Sequence, residues 1–250
     1  MVQPSAECPI IILGDDKLGN LDVIVEYIYH SCFTVEIGDK ILVFDYYKGD
    51  INLKDKNIYV FSSRNHGDHF NPEIFEWEKD YKNIHYILSD DIVANNKENI
   101  TFMRAYKKML IDNVKIETFG STDQGVSFLV TTDEINIFHA GDLNWWYWED
   151  DTESEKIDME NSFRIKIKRI RESGKKIDMA FFPVDPRLGD YYYLGGEYFI
   201  EEIHPKYFFP MHSWDKYEIS QRFIHKIGDG KTQIVDIKHK NQIFNLQDRV

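Results

Sequence analysis

Between Leu21 and Asp45 the chain reads LDVIVEYIYHSCFTVEIGDKILVFD. β-Branched and aromatic residues alternate there with polar ones around a Gly38-Asp39 turn, and this period of two predicts three short strands. Two compact apolar runs, residues 57–62 (NIYVFS) and 83–88 (NIHYIL), predict strands buried in a sheet. Further strands are predicted at 114–119, 126–131 and 135–139, the last two joined by a turn around Thr132-Asp133-Glu134. The second half changes period. Residues 157–172 (IDMENSFRIKIKRIRE) recur at helical spacing and stop before Gly174, where a glycine suits a helix end. A strand (177–184), a helix (196–203), a strand (206–211), a helix (215–227) and a last strand (232–237) follow. Strands first, then alternating β and α, predict an α/β fold of two packed sheets with helices outside.

Composition narrows the class. At 250 residues and 42% apolar content the chain can bury a full core, and with no Pro/Gly/Ser-rich linker it is expected to form one domain over 1–250. A formal net charge of −13 excludes a surface tuned to nucleic acid or to anionic lipid, so neither nucleic acid nor membrane is an expected partner. No apolar run approaches the ~20 residues that span a bilayer. The start, MVQPSAECPIIILGDD, lacks the basic and long apolar regions of a signal peptide, so a cytoplasmic location is expected. Cys8 and Cys32 are the only cysteines and form no C-x-x-C pair, which speaks against a disulfide framework or a thiolate metal site. Any metal must then be held by histidine and carboxylate.

Three stretches carry such groups. FSSRNHGDHFNP (61–72) places His66, Asp68 and His69 directly after a strand end, where a loop can aim several side chains at one point. Its plain alternative is a polar turn capping a helix begun at Asn71-Pro72. FHAGDLNWW (138–146) ends a strand in a Gly-Asp step that projects Asp142, and FFPMHSW (208–214) ends another in His212. Singly, Asp142 reads as a turn residue and His212 as a buried structural histidine. Together, three strand ends delivering oxygen and imidazole donors suit zinc or a similar divalent ion.

Residues 64–69 resemble the H-x-H-x-D-H signature of the metallo-β-lactamase superfamily, and HAGD and PMH resemble its later aspartate and last histidine. YHSCFTVEIGDKILVFD looks like the H-x-x-F-x-x-E … D entrance of the branch containing ascorbate-phosphate lactonase and related metal-dependent hydrolases. The resemblance spans roughly residues 24 to 215. It implies a four-layer αββα sandwich of two mixed sheets, with a metal site at the sheet edge. Carried over by position, Asp68, His69, Asp142 and His212 match the ligands of the second metal site, and Asp142 matches a ligand that bridges two ions. The first site departs from the pattern. Arg64 replaces its first histidine, only His66 survives of that pair, and no histidine stands between residues 86 and 138, so Gly120 or Ser121 takes the place of the third.

One ion per chain is therefore expected, zinc first, with manganese or iron as alternatives. Arg64 restores one positive charge, and its planar fork can grip an anionic substrate or pair with Asp68, Asp123 or Asp142. The resemblance implies metal-assisted hydrolysis of a small anionic ester, lactone or phosphoester by metal-bound hydroxide. His66 is the expected general acid or base, with His30 as a second candidate, since histidine exchanges protons near neutral pH. Asp45 matches an aspartate that supports the ligand loop by hydrogen bonding. Asp185 and Arg187 fall close to the same sheet edge. Core packing is expected for most of Trp145–Trp148 and Tyr191–Tyr193, and a solvated acidic loop leading into a helix for WEDDTESEKIDME. The competing readings are a non-catalytic member that binds a ligand through an altered pocket and a nuclease, which the acidic balance disfavours.

Overall fold

The computed structural model describes residues 11–12, 22–95 and 97–246. The N-terminal stretch read for targeting, with Cys8, lies outside them apart from Ile11 and Ile12, and Cys32 is buried as a free thiol. Among the described residues no helix is long and apolar enough to cross a membrane. The first half forms β1 (Ile11–Ile12), β2 (Val23–Tyr29), β3 (Cys32–Ile37), β4 (Lys40–Phe44), β5 (Asn57–Ser62), β6 (Ile84–Ser89), β7 (Ile100–Met103) and β8 (Lys108–Ile111). Then come β9 (Val114–Gly120), β10 (Val126–Thr132), β11 (Ile135–His139), α1 (Glu153–Glu172), β12 (Met179–Pro183), α2 (Leu194–Ile203), β13 (Tyr207–Met211), α3 (Glu218–Ile227), β14 (Gln233–Ile234) and β15 (Gln242–Leu246).

Two mixed sheets result, ordered β1-β15-β2-β3-β4-β5-β6-β7 and β14-β13-β12-β11-β10-β9-β8. β4, β5, β6 and β7 pair in parallel, as do β11, β12, β13 and β14, while the hairpin strands pair antiparallel. The core lies between the sheets, where Phe33, Phe44 and Phe61 from the first meet Phe128, Phe181 and Phe209 from the second, while Phe138 turns to the outer face and stacks on Phe199 of α2. On the outer face of the first sheet, Ile41, Val43, Ile58 and Val60 pack under a 3-10 helix at Pro72–Lys79. Alternate residues of β4 and β5 thus point into two different apolar layers, which is why those runs carry no polar face. This is the metallo-β-lactamase arrangement of two mixed sheets flanked by helices.

Several element boundaries differ from expectation. α1 begins at Glu153, four residues before the expected start, because Thr152 and Glu155 form a reciprocal capping box. The expected strand at 232–237 shrinks to Gln233–Ile234. β15 and β1, both unpredicted, extend that side of the first sheet, β15 antiparallel to β2 and β1 parallel to β15 at the edge. β7 and β8 were also unpredicted: β8 sits at a sheet edge and alternates exposed with half-buried residues.

A candidate metal centre at the sheet edges

Five strand ends or turns open onto one edge of the sandwich. The β2–β3 turn carries His30, the loop after β5 carries Arg64 to His69, and Asp142, Asp185 and His212 follow β11, β12 and β13. Backbone hydrogen bonds tie these segments together: His212 N donates to His30 O at 3.0 Å, Val126 N to Ser63 O at 2.9 Å, and Ala140 N to Phe181 O at 2.9 Å. His30, Asp45 and His212 hold left-handed backbone with φ of 58°, 45° and 66°. Non-glycine residues avoid this region unless their surroundings impose it. Gly141, φ 54°, is required where it stands, because a Cβ there would come within 2.7 Å of the Ser63 side chain.

His30, Asp68, His69 and His212 each offer a ligand atom within 4.8 Å of the others. Asp142 borders the group: its Oδ1 lies 3.0 Å from His69 Nε2 and 3.2 Å from His212 Nε2. Those contacts fall outside hydrogen-bond alignment, so Asp142 Oδ1, His69 Nε2, His212 Nε2 and both ring nitrogens of His30 are buried without a hydrogen-bond partner. Such atoms are costly in a folded interior, and a shared cation would satisfy Asp142 Oδ1, His69 Nε2, His212 Nε2 and one ring nitrogen of His30 together. The residues present therefore fit a divalent ion.

The opposite nitrogens are held. His69 Nδ1 donates to Asp45 Oδ2 at 2.7 Å, and Asp45 is itself fixed by Ser63 N and Ser63 Oγ, each at 2.7 Å. His212 Nδ1 donates to Asp185 Oδ2 at 2.8 Å. A carboxylate behind each Nδ1 selects the tautomer whose Nε2 lone pair faces the ligand group. Asp45 thus does what the resemblance implied.

Charge is concentrated here. Burial works against ionising His69, but Asp142 and Asp45 outweigh it and raise the imidazole well above its ordinary value. His212 is raised in the same way by Asp142 and Asp185. Burial opposes ionisation of Asp142 too, and His69 and His212 reverse the balance, holding it well below the carboxylate range. His30, buried and facing two other imidazoles, is pushed down to about 4 despite Asp68. A metal bound here would compete with protons for the same imidazole nitrogens.

Two expectations change. His30, expected as a proton-transfer candidate, is fully buried and belongs to the donor group. His66, expected as a ligand as well as a base, stands outside that group with its side chain 61% exposed and its Nδ1 on Asp68 Oδ1. Arg64 pairs with Asp123 at 2.5 Å and with Asp142, using Nη1 for both, while its Nε is buried and unpartnered. Asp142 therefore turns one oxygen to the imidazoles and the other to the guanidinium. A cavity of about 360 Å³ opens above, with Arg64, His66, Asp68 and Asp142 in its lining. Trp146, Trp148 and Met159 supply its apolar wall, whereas Trp145 packs in the core. The part of Met159 had no signal in the sequence, because it depends on where α1 is laid across the second sheet.

Known proteins match this picture. The family model described as a beta-lactamase superfamily domain matches residues 24–159, more than half of the chain. No curated protein matches the sequence. Among solved structures, Igni18, a metallo hydrolase from Ignicoccus hospitalis, is 14% identical with a TM-score of 0.63, covering 90% of this chain and 99% of that one. The metallo-beta-lactamase fold protein YhfI from Bacillus subtilis is 10% identical with a TM-score of 0.61, covering 90% and 99%. CmlA, a diiron β-hydroxylase from Streptomyces venezuelae, is 9% identical with a TM-score of 0.62, covering 93% of this chain but 55% of its own. These likenesses concern the fold. With the matched family model and the sheet order of the sandwich, the chain belongs to the metallo-β-lactamase superfamily.

Proposed function

We propose that this chain, as a single domain, is a metal-dependent hydrolase that holds one ion and cleaves a small anionic ester, lactone or phosphoester. The observation that carries the reading is the set of buried, unpartnered donors on His30, His69, His212 and Asp142, which faces Asp68 beneath an open cavity. Three imidazoles and two carboxylates suit zinc, and the fifth donor also accommodates manganese or iron. The His30-x-x-Phe33 entrance supports kinship with the ascorbate-phosphate-lactonase branch.

His30, His69, His212, Asp68 and Asp142 would hold the ion. When bound, it supplies Lewis acidity and brings the pKa of a water toward neutrality. Asp45 and Asp185 keep the Nδ1 protons of His69 and His212 in place, so both imidazoles present Nε2. Arg64 leaves a fixed positive charge against Asp142 Oδ2, where the resemblance implies a second ion; this supports a one-ion site. His66, on the open side and braced by Asp68, is placed to pass a proton between its exposed Nε2 and the leaving group.

Elemental analysis of protein purified without chelators tests the reading. About one ion per chain, with hydrolysis of activated esters or phosphoesters that chelator abolishes, is the expected result. A chain without metal and without turnover supports the non-catalytic, ligand-binding reading instead.

A further inference from the structure

Two guanidinium groups line the cavity, and they are not equivalent. Arg64 is 8% exposed, and its Nη1 is taken by both Asp123 and Asp142, so its charge is already balanced within the wall of the site. Arg187 keeps 45% of its side chain exposed. Its Nε and Nη2 are committed to Asp185, at 2.9 and 2.5 Å to Oδ2, and Nη1 makes no hydrogen bond among the described residues. The guanidinium is also fixed sideways, 5.7 Å from the Trp148 ring and 5.5 Å from the Trp214 ring. An arginine already ordered by a carboxylate and two indoles loses little freedom on binding an anion. Beside it Trp148 lies stacked on Trp146, with ring centroids 6.1 Å apart and planes 5° from parallel, facing the same cavity.

We propose that Arg187 seats the anionic group of the substrate and that Trp148 supports an apolar or flat portion next to it. Arg187 is thus a specificity-determining residue, and the substrate class is a small organic acid or phosphate ester bearing an aromatic or apolar group, within about 360 Å³. The inference rests on the hydrolase reading for the identity of the reacting bond, but not for binding.

Calorimetric titration of the full chain with phenylphosphonate, methylphosphonate and uncharged dimethyl phenylphosphonate tests it, with and without one equivalent of zinc. Phenylphosphonate is expected to bind at least tenfold tighter than the uncharged ester. Arg187→Gln should weaken both phosphonates at least tenfold, with Arg187→Lys recovering part of the loss. Trp148→Leu should weaken phenylphosphonate and leave methylphosphonate unchanged. This crossed pattern is one that loss of structure around Asp185 does not produce. Equal weakening of charged and uncharged probes by Arg187→Gln overturns the assignment, as does its full retention of phosphonate binding. If the pattern holds while the zinc-loaded protein shows no turnover of any activated ester or phosphoester, the hydrolase reading fails and this one stands.

Discussion

Asp185 Oδ2 accepts a hydrogen bond from His212 Nδ1 at 2.8 Å, joining the segment after β12 to the residue directly after β13. His212 is thereby held from behind while its Nε2 faces Asp142. Burial opposes the Asp185 charge, but His212 and Arg187 prevail and bring its carboxyl down to about 2. Asp185→Asn, close to the same shape without the charge, is expected to weaken zinc binding roughly 10- to 100-fold. Competition against a chromophoric chelator measures this, and an unchanged affinity would refute the orienting role.

Removing Arg64 exposes the other side of Asp142. Arg64→Met leaves the buried Asp142 Oδ2 unpaired and is expected to cost on the order of 3 kcal/mol of stability in urea unfolding. Asp123 is half exposed, so Asp123→Ala should cost less than about 1 kcal/mol. Similar costs for the two variants would contradict the view that the inner pair matters more.

His66 and His30 separate by measurement. Because His66 stands outside the donor group, His66→Ala should keep the metal content and lower turnover roughly 10²- to 10⁴-fold. His30→Ala should lower metal affinity. Loss of metal in His66→Ala would return that residue to the ligand set.

His139, behind the donor group and 3.7 Å from Asp45, gives a pH dependence of its own. Its ring stacks on Phe44 with planes 3° apart, Nε2 donates to Ser31 O at 2.9 Å, and Gly141 N donates to Nδ1 at 3.2 Å. A proton on Nδ1 would break the last bond, and burial lowers the group despite Asp45. Its folded value lies below the unfolded one of ~6.5, so the unfolded chain binds more protons as pH falls below that point. The contribution of neutral His139 is fully present above ~6.5 and declines as acid is added toward the folded value. In chelator-treated protein, wild type should therefore lose more stability between pH 7.5 and 5.5 than His139→Gln does. Equal losses would show that His139 is not the group responsible.

Most of the architecture was legible before any coordinates, because strands buried on one or both faces announce themselves by period and composition. β5, β6 and β9 to β11 fall within a residue of expectation, and the stretch from Leu21 to Asp45 forms the three strands expected of it. What failed was short or edge structure: β1, β7 and β8 are short strands at sheet edges, and β15 buries Gln242 while leaving Ile243 half-buried, so its residue types do not alternate as its burial does. The site divides in the same way. Asp68, His69, Asp142 and His212 could be picked out because each follows a strand end in a spaced motif. The placement of His30 among the buried donors and of His66 outside them could not, nor could the choice of Asp123 and Asp142 as partners for Arg64. Those depend on how two sheets are stacked and on which of several nearby carboxylates a side chain reaches, and local sequence determines residue type and spacing but not the distances between segments more than a hundred residues apart.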